Sequence, residues 1–369
     1  MLLRRQNKTS VPKLFCAAVL LITILGFAGS ASPVFFPDSQ LERAVREAIG
    51  KETDTLTSSD LAGLTELTAI DQGISNLSGL EDCTSLVLLD LGENYIEDLS
   101  PLARLTRLKT LILRSNEIEN ISSLAGLTDL VKLDLDFNRV ADIAPLAGLT
   151  NLRWLGLWDG RITEISPLAG LTELQTLGLG GNPIWDIAPL AGLIHLYWLG
   201  LPNTGIAEIT ALANLCEIVK LSLGGNKIKD VTPLAHLITL EGLGLSDNKI
   251  EDISALSGLR NLQRLSLWGN EITDIHPIAR LTKLVKLWID RNQIRDIDEL
   301  RGMSALSILG LSGNEITDLA PLLDNPGLGD RDEIDLRDNP LDLSPGSEDM
   351  DAIETLTERG ARVEYEKQQ

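Results

Sequence analysis

Residues 124–149 read LAGLTDLVKLDLDFNRVADIAPLAGL, and this segment decides the fold of the chain. Leu130, Leu133 and Leu135 form the pattern L-x-x-L-x-L, and Asn138 follows the last of them after two intervening residues. Successive side chains of a β-strand point to opposite faces, so Leu133 and Leu135 are expected to point inward. The segment therefore predicts one short strand that ends in a turn at the asparagine.

The same pattern recurs every 22 residues along most of the chain. Gly160 and Thr204 stand at the two positions of this grid that lack asparagine, and asparagine occupies the others, namely Asn94, Asn116, Asn138, Asn182, Asn226, Asn248, Asn270, Asn292 and Asn314. A fixed period of this length predicts a solenoid whose turns pack only on their neighbours. Parallel strands also need a return connection, which is expected to be short and right-handed.

The chain divides into four predicted segments. Residues 1–31 carry four basic residues, an apolar run at 14–27 and small residues at the end, which is typical of a cleaved signal peptide. The apolar run is shorter than the about 20 residues of a membrane-spanning helix, although an uncleaved anchor remains the alternative. Residues 32–62 are predicted to form a helical N-terminal cap, 63–343 about 13 solenoid turns, and 344–369 a C-terminal cap.

The repeated asparagine is interpreted as structural. A buried amide side chain can satisfy backbone groups that turn inward at the corner after the strand, and successive amides would stack one turn apart. An Asp or Glu recurs four residues later, as at Asp142, and proline often follows three residues after it, as at Pro145. We expect these acids to cap the next turn, with a column of calcium-binding carboxylates as the alternative.

The net charge limits the classes of partner. The formal net charge of -21 argues against nucleic acid and anionic lipid as partners.

The two cysteines outside the predicted signal peptide are not expected to form a disulfide. Cys83 and Cys216 lie about six turns apart, near 29 Å, so they are too distant for a disulfide within one molecule. Cys83 is expected to be a small buried residue, whereas Cys216 is a minor candidate for a reactive thiol.

Five of the six tryptophans fall at outward positions of the predicted sheet. Glycines at 156, 178, 200 and 244 share a central column, which predicts a shallow open floor between indole rings. Tryptophan is the strongest anchor type at protein interfaces, and nearby charges suit a polar rim. Trp185 lies at a turn and is expected to pack. The predicted ligand-binding residues are Trp154, Trp158, Trp198, Trp268, Trp288, Phe137, Arg114, Lys132, Asp134, Asp136, Asp159, Arg264, Lys286 and Asp290.

Catalysis is not expected. The three histidines, His195, His236 and His276, each hold a different place in the repeat, so they cannot converge on a metal ion or form an acid–base pair. Glycine-rich stretches such as residues 176–181 are repeat sequence and not a phosphate-binding loop. We therefore predict no catalytic residue, no metal ligand and no cofactor.

The segment NRVADIAPLAGLT at residues 138–150, with its counterparts at Asn182 and Asn270, resembles the 22-residue leucine-rich repeats of bacterial internalin-like proteins. FPDSQLERAVREAIG at 36–50 and SSDLAGLTEL at 58–67 look like the helical cap of that family. The resemblance covers about residues 36–369 and implies an α/β fold: a right-handed leucine-rich repeat solenoid, or horseshoe. It further implies a parallel β-sheet on the concave face, short 3-10 or irregular segments on the convex side, and export of the protein.

The resemblance also implies a ligand class. Internalin-like proteins bind other proteins through the concave sheet, so we expect a protein or peptide ligand, with a glycan stacked on the indoles as an alternative. We expect the mature protein to be a bacterial monomer with no membrane span after signal removal. Its expected location is outside the cell, at the cell surface or in the periplasm. The sequence contains no wall-sorting motif, so wall attachment is not expected. An intracellular scaffold similar to the 22-residue-repeat regulatory subunits of protein phosphatase is the competing interpretation, and a polysaccharide-active enzyme ranks third.

Overall fold

A computed structural model describes residues 32–365, so the predicted signal peptide at 1–31 lies outside the described residues. Within that range one parallel sheet contains 14 strands, each paired with the next in chain order. The strands are β1 Glu66–Thr68, β2 Leu88–Asp90, β3 Thr110–Ile112, β4 Lys132–Asp134, β5 Trp154–Gly156, β6 Thr176–Gly178, β7 Trp198–Gly200, β8 Lys220–Ser222, β9 Gly242–Gly244, β10 Arg264–Ser266, β11 Lys286–Trp288, β12 Ile308–Gly310, β13 Glu333–Asp335 and β14 Arg362–Glu364. The leucine-rich repeat solenoid predicted from the sequence is confirmed.

Short helical segments lie before the first strand and, on the convex side, between the strands. Four are α-helical: α1 Ser39–Ile49 and α2 Ser58–Leu61, both before β1, and α3 Ala320–Leu323 and α4 Glu348–Glu358, which precede β13 and β14. The others are 3-10 turns at Leu80–Asp82, Ser100–Leu102, Ser122–Leu124, Ala144–Leu146, Ser166–Gly170, Ala188–Gly192, Thr210–Leu212, Thr232–Leu234, Ser254–Gly258, His276–Ile278 and Asp298–Gly302. The 3-10 form fits this space because it is used in short pieces between other elements.

The repeated acids cap these turns as the sequence predicts. The Oδ1 atom of Asp142 accepts the backbone N–H of Ala144 at 2.9 Å, at the start of a 3-10 turn. Eight further acids make the same bond to the residue two positions later, namely Asp98, Glu164, Asp186, Asp230, Asp252, Asp274, Asp296 and Asp318. Each bond satisfies a backbone donor that the turn leaves free.

Leucine and isoleucine fill one continuous core, and asparagine satisfies its polar corners. Asn182, which is fully buried, donates from Nδ2 to the carbonyl oxygens of Leu157 and Leu179 at 2.6 and 2.9 Å. Its Oδ1 accepts the N–H of Ile162 on the preceding turn at 3.0 Å. Within residues 32–365, no buried side-chain polar atom lacks a hydrogen-bond partner. The asparagines therefore hold adjacent turns together, as expected.

Both ends of the described solenoid are covered. Leu41 and Val45 of α1 are fully buried against the first turns. The Asp38 carboxylate caps α1 and also accepts the backbone N–H groups of Ser75 and Asn76, which ties the helix to the repeats. At the other end, α4 packs on α3, and β14 pairs with β13. Leucine at the edges of the sheet is thereby kept from water.

Candidate ligand-binding face

The structure brings the five sheet tryptophans to one face. Trp154 begins β5, Trp198 begins β7 and Trp288 ends β11, while Trp158 and Trp268 lie two residues after the ends of β5 and β10. In each three-residue strand the central leucine points into the core, so the first and third residues face outward. All five indoles are half-buried.

Three of these tryptophans form a cluster at the centre of the face, which we call the central aromatic cluster: Trp154, Trp158 and Trp198. Strand pairing places Trp154 and Trp198 in one column, with Thr176 between them. The ring centroids of Trp158 and Trp198 lie 6.3 Å apart, and the ring planes are tilted by 32°. That distance and tilt suit direct contact between aromatic rings.

The indole of Trp158 lies across the glycine column. A Cβ atom added to Gly178 would come within 2.6 Å of Trp158 Cδ1, one on Gly180 within 2.6 Å of Cε3, and one on Gly200 within 2.9 Å of Cζ2. The expectation of an open glycine floor between the rings is therefore wrong at Gly156, Gly178 and Gly200, because a backbone without Cβ lets an indole pack directly against it. At Gly244 no indole approaches, since an added Cβ would meet its nearest atom, Ser222 Oγ, at 3.7 Å.

Similar contacts hold the other two rings of the cluster. A Cβ on Gly156 would meet Trp154 Cη2 at 2.7 Å, and a Cβ on Gly200 would meet Trp198 Cη2 at 2.6 Å. Lys132 places its Nζ atom 4.7 Å from the centre of the Trp154 ring, which is cation–π distance. The three indoles therefore pack on the backbone of neighbouring strands, with a lysine at one edge.

Two acids beside the cluster are more buried than expected. Asp134, predicted as an outward rim residue, is only 7% exposed, which corrects that prediction. Asp136 is half-buried, and its Oδ1 accepts the backbone N–H of Trp158 at 2.8 Å. Burial raises the pKa of Asp136 to about 6, and the neighbouring Asp134 and Asp159 carboxylates add to the rise. Burial also raises the pKa of Asp134.

The remaining predicted rim residues lie along the same face. Arg114 is exposed and pairs with Glu93 at 3.0 Å. Phe137 is 54% exposed and adopts a positive φ of 57° at the corner after β4. Asp159 is exposed, whereas Arg264 and Lys286 begin β10 and β11, exposed and half-buried respectively.

A second group of these residues lines a cavity near the last strands. Its volume is about 490 Å³, and Trp268, Trp288 and Asp290 contribute to one side. We call it the C-terminal cavity. Residues of β12 to β14 and the turn after β13 form the rest. The sequence prediction missed this second side, since the grid slips at the 25-residue step from Asn314 to Asn339 and β14 belongs to no repeat.

Other candidate features lie apart from this face. Trp185, expected to pack at a turn, is 73% exposed, so that expectation is wrong. His195 and His276 each contact a single glutamate, at 3.2 and 2.9 Å.

Across residues 32–365, no group of three or more His, Cys, Asp or Glu side chains is arranged to hold a metal ion. The helices found in that part of the chain are all too short or too polar to cross a membrane.

Comparisons with known proteins give the family. The family model "Leucine Rich repeats (2 copies)" matches residues 106–148, 150–192, 238–280 and 260–302. Internalin H of Listeria monocytogenes is 41% identical over 69 residues, which span 18% of this chain and only 13% of Internalin H.

Solved structures extend the likeness to most of the chain. The crystal structure of internalin InlF from Listeria monocytogenes is 32% identical, with a TM-score of 0.73, and the match covers 82% of this chain and 97% of InlF. A leucine-rich repeat protein of Leptospira interrogans shares the fold, at 20% identity and a TM-score of 0.70, over 82% of this chain and 84% of that one. The chain therefore belongs to the internalin-like leucine-rich repeat proteins.

Proposed function

We propose that this chain is an exported bacterial binding protein that recognises a protein or peptide through the centre of its concave sheet. The observation that carries the proposal is the central aromatic cluster, in which the Trp158 ring lies over Gly178, Gly180 and Gly200. Indoles held in this way are already ordered before a ligand arrives, so binding costs little side-chain entropy. Large ordered aromatic side chains are the usual energetic centre of protein interfaces.

The shape of the cluster favours a macromolecular ligand. Because the rings cover the glycines, the surface is filled in and shallow, and a small molecule would leave most of its own surface in water. A protein segment laid across β5 to β7 could cover all three rings. Lys132, Asp136 and Asp159 at the margin would supply polar contacts around the apolar centre.

Export rests on the N-terminal sequence. Four basic residues precede the apolar run at 14–27, and small residues follow it. Edman sequencing of the protein purified from its native cells should begin near Ser32. A native protein that begins at Met1 and remains in the cytoplasm would favour the intracellular scaffold.

Selection from a peptide-display library tests the binding proposal directly. The chain from Ser32 to Gln369 would be the target, and enriched peptides would be compared on two single variants. Trp158→Ala removes the central ring, whereas Trp185→Ala removes an equally large but exposed ring away from the sheet. We expect binding to fall at least tenfold on Trp158→Ala and to stay unchanged on Trp185→Ala, with both variants folded by circular dichroism.

Equal binding to both variants would refute the proposal. A carbohydrate ligand is the second candidate, because the neighbouring indole faces of Trp158 and Trp198 could also stack on sugar rings. A glycan array probed with the same variants would reveal it. Signal on glycans that depends on Trp158, with no peptide selected, would replace a protein ligand by a sugar.

A further inference from the structure

We propose that the C-terminal cavity receives an arginine side chain of the ligand, an inference that rests on the proposed function and adds a second contact to it. The cavity has a volume of about 490 Å³ and opens on the same face as the central aromatic cluster. Trp268 and Trp288 lie on adjacent turns at one side, and β13 and β14 form the other. Its two sides combine aromatic rings with carboxylates.

The two indoles of the cavity are available to a cation. Trp154 already has the Lys132 ammonium over its ring, at 4.7 Å. In the described part of the chain, neither Trp268 nor Trp288 has a lysine or arginine placed in this way. Trp288 ends β11 beside Gly310, and the Asp290 carboxylate occupies the space over that glycine. The quadrupole of an indole attracts a cation, and a carboxylate beside the ring adds to that attraction.

Part of the charge in the cavity is compensated internally. Arg337 donates from Nε and Nη2 to the two carboxylate oxygens of Asp335, at 2.8 and 2.6 Å. Glu364 lies 3.4 Å from Arg337 and 3.2 Å from Arg362. These two guanidinium groups and two carboxylates therefore balance one another.

The remaining charges favour a cation. Three carboxylates are left, on Asp290, Glu333 and Asp338, against the single guanidinium of Arg291. Asp290 is half-buried, and Ser312 directs both its N–H and its O–H to Oδ1, at 3.0 and 2.9 Å. Burial raises the pKa of Asp290, which reflects the cost of holding this carboxylate ionised without a counter-ion. An incoming cation would offset that cost.

Arginine fits this combination better than lysine or a metal ion. Its guanidinium is planar, so it can stack on an indole while its edge donates two hydrogen bonds to a carboxylate. Trp198 and Trp288 lie four strands apart, about 19 Å, and an extended segment of about six residues spans that distance. We therefore infer a ligand whose arginine lies about six residues from its apolar anchor.

A short probe tests the cavity without the rest of the ligand. The blocked tripeptide acetyl-Gly-Arg-Gly-amide would be titrated into residues 32–369 by calorimetry and by tryptophan fluorescence. The matched probe carries citrulline, which keeps the shape of arginine without its charge. We expect saturable binding of the arginine peptide and at least tenfold weaker binding of the citrulline peptide.

Charge variants place the binding in the cavity. Glu333→Gln and Asp338→Asn each remove one exposed carboxylate of the lining, and asparagine tolerates the positive φ of 56° at position 338. We expect each to weaken the arginine peptide at least threefold, whereas Glu173→Gln, an exposed carboxylate outside the cavity, should leave it unchanged. Equal binding of both probes, or no saturation, would overturn the inference.

The outcome is separable from that of the proposed function. The tripeptide has no apolar anchor, so Trp158→Ala should bind it as the wild type does. If library peptides need Trp158 for binding but the tripeptide does not bind, the arginine site in the C-terminal cavity is refuted and the central aromatic cluster remains the binding site. A tripeptide that binds, with no ligand dependent on Trp158, would instead refute the proposed function.

Discussion

Asp136 and Trp158 are joined across adjacent turns, with the Asp136 carboxylate accepting the Trp158 backbone N–H at 2.8 Å. Asp290 makes the same contact with Ser312 on the next turn, at 3.0 Å. In both cases the acid occupies space above a glycine, since a Cβ on Gly156 or Gly310 would meet a carboxylate oxygen at 2.7 Å. In these two cases an acid two residues before the repeated asparagine links two turns of the concave face, and glycine ends the strand on the next turn.

The Asp136 link has a pH dependence of defined sign. Its pKa of about 6 in the folded chain lies above the ordinary value of 3.8, so the folded chain binds this proton more tightly than the unfolded chain. The contribution of Asp136 to the free energy of unfolding therefore falls as pH rises from about 4 to about 6. Solvent screening of this partly exposed group reduces the effect to about 1 kcal/mol.

Asp136→Asn isolates that contribution, because its amide oxygen can still accept the Trp158 N–H without a charge. We expect the variant to match the wild type at pH 4 and to be more stable by about 1 kcal/mol at pH 7. Urea denaturation at pH 4, 5, 6 and 7 measures the difference. A variant that is less stable than the wild type at pH 7 would show that the charge strengthens the hydrogen bond by more than burial costs.

Gly178→Ala tests whether the glycine column positions the indole. The new Cβ would come within 2.6 Å of Trp158 Cδ1, so the ring must move. We expect a loss of about 1–3 kcal/mol in stability, a shift in tryptophan emission and weaker ligand binding. Gly244 holds the same place in β9, where an added Cβ meets its nearest atom, Ser222 Oγ, at 3.7 Å.

Gly244→Ala is therefore the matched control. It should change stability by less than about 1 kcal/mol and leave tryptophan emission as in the wild type. Similar losses in the two variants would mean that glycine is needed for the strand backbone itself, and that the contact with Trp158 is incidental.

Periodicity was sufficient to predict the fold, because register in a solenoid follows from which residues must be buried. The leucines, the asparagine bonds and the acid caps all repeat every 22 residues, so one repeat predicts the others. The site depends on side-chain rotation, which has no such period. The Trp158 ring could have pointed to solvent, and only its contact with Gly178, Gly180 and Gly200 fixes it on the sheet.

Burial of Asp134 and exposure of Trp185 were missed for a related reason. The outward position of a strand predicts solvent, but on the concave face neighbouring turns crowd the side chain, and Asp134 is left 7% exposed. A turn aromatic predicts packing only if a partner lies beside it. The sequence of one repeat does not show which side chains of the adjacent repeats lie beside a given residue.

The asparagine column supports a prediction about stability alone. Asn182→Ala would leave the carbonyls of Leu157 and Leu179 and the N–H of Ile162 without their side-chain partner inside the core. We expect a loss of about 2–4 kcal/mol by urea denaturation. Ligand binding at temperatures where the variant is folded should be unchanged, because Asn182 is fully buried.

Two comparisons sharpen that prediction. Asn151→Ala removes one exposed bond, to the carbonyl of Thr128, and should cost less than about 0.5 kcal/mol. Asn182→Thr should be milder than Asn182→Ala, since the hydroxyl of Thr204, in the same slot of the next repeat, donates to the carbonyl of Leu201 at 3.1 Å. Equal losses for the three variants would contradict a specific role for the buried amide.

The two cysteines of the chain from Ser32 should differ sharply in reactivity. Cys216 is exposed, whereas Cys83 is buried beneath the first turns. Burial raises the pKa of the Cys83 thiol to about 12, and the nearby carboxylates of Asp82 and Glu81 add to the rise, so almost no thiolate forms at pH 8. Ellman's reagent should therefore titrate one thiol in the native protein and two in guanidinium chloride.

The slow modification of Cys83 then reports on opening of the N-terminal turns, because the thiol can react only when α1 and its neighbours separate from the core. Asp38→Ala, which removes the cap of α1 and its bonds to Ser75 and Asn76, should accelerate that reaction and leave Cys216 unaffected. Two thiols reacting at once in the native protein would contradict the packing of Cys83. Unchanged reactivity of Cys83 in Asp38→Ala would instead mean that the thiol becomes accessible only when the solenoid opens as a single unit, so that the N-terminal cap has no separate stability.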